Sequence, residues 1–182
     1  MPGAEELKQQ GLHLFRADRL AEAAEKFAEA ARACAAQGDR AGEAEMLNNL
    51  CVARMGLKEW AAAIAAVEPT LAVFQELGDE LRATQAVANL AAAHDGAGHV
   101  EQAEALFEQA VDLFGELGEK ENRAACYKAL SALQIKQGKQ LQALASMQSG
   151  LGLSPSLSGR EKRLKFMLDK AIQLIQSQGG GS

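Results

Sequence analysis

A chain of 182 residues, 48% apolar but only 4% aromatic, with a net charge of −5, is long enough for one compact domain or a short repeat array. The acidic balance argues against a general nucleic-acid binder, which needs a basic stripe to displace counterions, and no apolar run approaches membrane-spanning length. Abundant alanine, three prolines (Pro2, Pro69, Pro155) and no alternating β-branched windows predict closely packed helices without strands.

The first helix is expected over residues 4–17, with Glu5 and Glu6 at its positive end and Leu7, Gly11, Leu14 and Phe15 on one stripe. After Asp18-Arg19, a second helix carries Leu20, Ala23, Ala24, Phe27, Ala30, Ala31 and Cys34, and stops at Gly38-Asp39. Glycine suits the left-handed position after a helix, and aspartate caps the next one. The same stop and start recurs as Gly78-Asp79 and Gly118-Glu119, at 40-residue intervals. Further helices are expected over 40–55, 59–77, 80–97, 99–117, 120–137 and 139–151. Pro69 lies inside the fourth and should bend it or break its hydrogen-bond ladder.

A loop over 152–157 then precedes a last helix, opened by a capping box of Ser158 and Glu161. Leu164, Met167, Leu168, Ala171, Ile172 and Ile175 are expected on one face of it. Met167 stands 40 residues after Tyr127, and Ala171 stands 40 after Ser131. The helix therefore reads as the first half of a fifth repeat that caps the array. Residues 160–170 carry a local +3, leaving −8 for the remainder, and read as a solvated basic face. The terminal Gly179-Gly180-Gly181-Ser182 (179–182) reads as a flexible linker or cloning scar.

The repeat is carried by columns of residues. The first copy has Leu7, Gly11, Ala23, Phe27 and Ala30, and the second has Leu47, Leu50, Cys51, Ala63 and Val67. The third has Val87, Leu90, Ala91, Ala103, Phe107 and Ala110, and the fourth has Tyr127, Leu130, Ser131, Ala143 and Met147. This pattern resembles the tetratricopeptide repeat (TPR), in a long-helix variety with a 40-residue spacing in place of about 34. The resemblance implies an all-α, right-handed α-solenoid of four TPR-like helix pairs, over 4–38, 39–78, 79–118 and 119–151. A C-terminal capping helix over 159–178 would complete about nine helices in a single domain spanning 1–178.

The resemblance also implies a concave groove lined by the first helix of each pair. Lys8, Asn48, Asn49, Val52, Gln85, Asn89 and Lys128 fall in the groove columns. Asn49 and Asn89 are the sharpest candidates, because a carboxamide both donates to and accepts from an extended backbone. The small residues Ala88, Ala92, Ala129 and Ala132 leave room for a helix or strand of a partner. Lys8, Asn49 and Asn89 also resemble part of the clamp by which chaperone-binding members hold a terminal carboxylate. Leu12 stands where those members carry a second asparagine, and Gln85 and Asn89 stand where they carry basic residues, so that activity is not expected.

Chemistry-bearing constellations are weak by comparison. His94 and His99 do not share a helix face, His13 is remote, and no carboxylate or thiol is spaced to join them on a metal. Cys34, Cys51 and Cys126 have no paired spacing and read as reduced, apolar helix residues of a cytoplasmic protein. Trp60 shares a column with Leu20, Val100 and Gln140 and reads as interhelix packing. The expectation is a non-enzymatic scaffold or adaptor for a protein or peptide partner, without nucleic acid, membrane, metal or cofactor. Self-association through the C-terminal helix or the array ends, giving a homo-oligomer, is the alternative, as is an engineered repeat scaffold.

Overall fold

The computed structural model describes residues 2–153 and 156–179, with side chains described as far as residue 174. Seven turns set its rhythm. Asp18 (φ 59°), Gly38 (72°), Lys58 (60°), Gly78 (70°), Gly98 (81°), Gly118 (72°) and Gly138 (73°) all lie in the left-handed region, at every twentieth residue. Each closes a helix in the same way. At the second turn Gly38 N–H donates to the Ala35 carbonyl and Asp39 N–H reaches back to that of Cys34, which satisfies carbonyls the helix end leaves open. The 40-residue repeat is therefore two halves of equal length. At Asp18 and Lys58 a side chain stands where glycine would be unstrained, at a cost of ~1–2 kcal/mol each.

Between these turns lie α1 (Ala4–Arg16), α2 (Leu20–Ala36), α3 (Arg40–Gly56), α4 (Trp60–Glu76), α5 (Glu80–Ala97), α6 (Val100–Glu116), α7 (Lys120–Lys136), α8 (Gln140–Leu153) and α9 (Gly159–Gly179). No strand occurs among the described residues. Asp39 and Asp79 cap α3 and α5, accepting from the N–H of Gly42 and Arg82 at 2.9 and 3.0 Å. Glu119 does not cap α7 and takes instead the Asn122 side-chain amide. The capping box holds: Ser158 N–H donates to Glu161, and Glu161 N–H to Ser158 Oγ. Helix α8 runs to Leu153, beyond the expected end at 151, and Ser154 and Pro155 of the expected loop lie outside the described residues. Helix α4 runs through Pro69 without a break in its helical backbone. The ring is exposed there, and the neighbouring Thr70 hydroxyl donates to the Val67 carbonyl. The proline faces water, where the bond it forfeits can be replaced.

The chain divides into two compact units, Met1–Leu106 and Phe107–Ser182. In the first, α1 to α5 pack in chain order, and α3 also meets α5. In the second, α7 packs on α8 and α8 on α9. Packing of successive helices within each unit is what an all-α solenoid of helical repeats requires.

The repeat columns prove to be contact points. Ala23 and Ala63 are fully buried, as is Cys51. A Cβ placed on Gly11 would lie 2.7 Å from Phe27 Cε1, so the glycine is the recess into which that ring fits. Trp60 packs as its column suggested: its indole fills the space over Gly96, and Leu20 Cδ1 approaches Gly56 in the same way one repeat earlier. On α9, Leu168 is buried and Leu164, Ala171 and Ile172 are half-buried, but Met167 is 61% exposed. Met167 precedes Leu168 by one residue, about 100° round the helix, which turns it away from the face that docks. Ile175 lies outside the described side chains.

Candidate functional site

The first helices of the repeats in the first unit are α1, α3 and α5, and polar side chains join them in series. Lys8 on α1 pairs with Glu45 on α3 at 2.6 Å, and Arg82 on α5 stands 3.9 Å from the other Glu45 oxygen. Arg82 also lies 3.5 Å from Asp79. The Glu45 hydrogen bond is the main reason the Lys8 ammonium holds its proton more tightly than an ordinary lysine, and desolvation opposes it. Lys8 is thereby committed to a carboxylate of its own chain. This pairing adds to the departures from such a clamp at Leu12, Gln85 and Asn89.

One step along, Asn89 on α5 donates its amide to Asn48 Oδ1 on α3 at 2.9 Å. The bond uses one donor of Asn89 and one lone pair of Asn48, leaving Asn48 its amide and Asn89 its carbonyl. Asn49, half-buried beside them, makes no side-chain hydrogen bond among the described residues. Val52 and Gln85 are half-buried as well. Six of the seven groove candidates therefore belong to the first unit. Lys128 belongs to the second, where it is exposed at the edge of an apolar cavity of about 380 Å³. Ala124, Ser131, Met147, Gly150 and Leu164 line that cavity, so α7, α8 and α9 all contribute to it.

The thiols are placed unfavourably for nucleophilic chemistry. All three cysteines are buried and unbridged. Burial pushes the Cys51 thiol up to about 12 and the Cys126 thiol up to about 11, and it also raises Cys34. A nucleophilic cysteine needs the opposite shift. No group of three or more metal-ligating side chains forms among the described residues. The two neighbouring histidines do meet, which sequence spacing did not suggest. Their Nδ1 atoms lie 2.9 Å apart, because the chain reverses at Gly98 and folds His99 back over the last turn of α5. The signal was present in the glycine between them. Burial first, and then the neighbouring His99, hold the His94 imidazole below its usual value, with Glu68 pulling the other way.

Residues 42–116 match the tetratricopeptide repeat family. No curated protein matches the chain in sequence. Solved structures do match it in fold. Aspartyl phosphate phosphatase F from Bacillus subtilis superposes with a TM-score of 0.78 at 14% identity, over 97% of this chain and 48% of that one. The apo form of RapI gives 0.74 at 13% identity, over 95% and 50%. BtubC (BKLC) from P. vanneervenii gives 0.73 at 21% identity, over 91% and 64%. The chain thus spans from about half to just under two thirds of the length of these proteins, and at such identities the likeness is one of fold. No described helix is long and apolar enough to cross a membrane.

Proposed function

We propose that this chain, whose residues 42–116 are tetratricopeptide repeats, is a non-enzymatic scaffold or adaptor that binds a segment of a partner protein on the face formed by α1, α3 and α5. The observation that carries the reading is the Asn48–Asn89 bridge with Asn49 beside it. Packed helices give a partner no free backbone groups, so recognition of an extended segment falls to side chains that can donate and accept together. The bridge orients two such carboxamides before any partner arrives, which lowers the entropic cost of binding. Lys8, Val52 and Gln85 complete the candidate contacts on this face, whereas Lys128 belongs to the second unit, at the edge of the cavity lined by α7, α8 and α9. The flanking Lys8–Glu45–Arg82 series presents mixed charge, so it favours neither an acidic nor a basic segment strongly. Three buried, unbridged thiols suit a reducing cytoplasmic setting.

The test is quantitative affinity capture with the tagged chain and with a double variant, Asn49→Ala with Asn89→Ala. Loss of about one hydrogen bond per substitution should weaken a groove-bound partner by ~1 kcal/mol each. Partners retained equally by both proteins, with helicity unchanged and the urea midpoint lowered by no more than loss of the Asn48–Asn89 bond accounts for, would show that the groove is not the working face.

A further inference from the structure

We infer that the solvent-facing side of α9 takes an acidic amphipathic helix of a partner protein. Phe166, Met167 and Leu174 are 63%, 61% and 59% exposed, the three together on one helix. Forty residues earlier in the repeat stand Cys126, Tyr127 and Gln134 of α7, of which Cys126 and Gln134 are buried and Tyr127 half-buried. There α8 supplies the cover for Tyr127 and Gln134. Its Gly150 lies so close that an added Cβ would be 3.1 Å from Tyr127 Cβ, and its Ser146 hydroxyl donates to Gln134 at 2.9 Å. Helix α9 packs on α8 through Leu168, and Gln148 bonds Asp169 at 2.5 Å. It docks through the columns that hold groove residues in the earlier repeats, Leu168 standing 40 after Lys128 and Asp169 80 after Asn89, and leaves open to water the positions that α7 buries or half-buries.

Charge selects the occupant. Arg163, Met167, Lys170 and Leu174 recur at intervals of four, three and four residues, the spacing of a helix-pairing seam. Lys170 stands over the Phe166 ring, 5.5 Å from its centroid. The two acids of the segment are engaged elsewhere, Glu161 in the cap and Asp169 with Gln148 and Lys165. The open face is thus apolar with a cationic margin. A second copy of α9 would bring like charges together, whereas an acidic helix complements both features. This chain contains an example of such a helix: α6 carries Glu101, Glu104, Glu108, Asp112 and Glu116 and no lysine or arginine.

The probe is a labelled peptide of residues 100–116, titrated with the full chain and followed by fluorescence anisotropy. Saturable binding is expected, weakening with salt, and a control peptide with all five acids replaced by lysine should not bind. Phe166→Ser with Leu174→Ser should weaken the binding roughly tenfold or more, and so should Arg163→Glu with Lys170→Glu. These side chains are exposed, so circular dichroism should report an unchanged fold in both variants. No saturable binding, equal binding of the two peptides, or indifference to both variants would overturn the inference. So would either of two other occupancies. One is binding to phosphatidylserine vesicles, lost in these variants, while the peptide stays free. The other is a concentration-dependent dimer that Phe166→Ser with Leu174→Ser dissolves.

Discussion

Replacing Gly11 with alanine sets two physical effects of opposite sign against each other. In a helix interior the change should stabilise by ~1 kcal/mol, because alanine loses less backbone freedom on folding. Against this, the new methyl carbon would lie 2.7, 2.8 and 3.2 Å from Cε1, Cδ1 and Cζ of Phe27, where carbon atoms pack at about 3.5–4.0 Å. Phe27 is 1% exposed, and Ala23 and Ala30 on its own helix are fully buried around it, so the ring cannot swing clear. Parting α1 and α2 by close to 1 Å would be needed, and overpacking of this kind costs ~1–3 kcal/mol. The net expectation is destabilisation of ~1 kcal/mol, read as a lower midpoint in urea unfolding followed by circular dichroism. Gly152→Ala is the control. It lies in α8 with nothing within 4 Å of the added carbon, so it should be neutral or mildly stabilising. In a Phe27→Leu background the penalty at Gly11 should vanish, giving a coupling energy of ~1–2 kcal/mol. Two outcomes would refute the reasoning: stabilisation by Gly11→Ala in the native background, or a penalty that persists in the Phe27→Leu protein.

The caps should differ in strength although they occupy one column: Asp39→Ala and Asp79→Ala should each cost ~1 kcal/mol in urea unfolding, whereas Glu119→Ala, which removes no bond to a backbone N–H, should cost distinctly less. Acid should weaken the fold through His94. Its folded value is depressed, so the neutral ring is the one the fold favours; that contribution is present above the unfolded value of 6.5 and is lost as pH falls through it toward the folded value. The urea midpoint should therefore drop between about pH 7.5 and 5.5, and His94→Gln should flatten that slope. Thiol-reactive dye at about pH 8 should leave Cys51 and Cys126 unlabelled in the native chain and label them in urea, since burial holds their thiols protonated at about 12 and 11. Rapid native labelling at either position would show that the helices around it open readily.

Helix boundaries, the repeat and its pairing were legible in the linear chain because each depends on residues local to one helix or recurring at one interval. Asp39 and Asp79 could be read as caps from their neighbours alone, since the cap bond spans three residues. The alanine column was legible because close approach of two helices admits little else there, as the full burial of Ala23 and Ala63 bears out. The positive-φ residues at Asp18 and Lys58 were not legible as such, because neither residue type announces that conformation.

What the sequence by itself determined, then, was the architecture of helical pairs and the columns that hold each pair together. The tertiary structure decided which groups meet across neighbouring helices. Lys8 meets Glu45, 37 positions away, and Asn89 meets Asn48, 41 away. Neither interval equals the 40-residue repeat, because helices of successive repeats are offset where they stack, and the offset depends on how side chains interlock. His94 and His99 meet through a reversal at Gly98, and Met167 faces water through the rotation of α9 on its neighbour. A column alignment compares equivalent positions and so cannot show contacts between inequivalent ones. Those contacts set the candidate site, occupying Lys8, bridging two asparagines and leaving the side of α9 open.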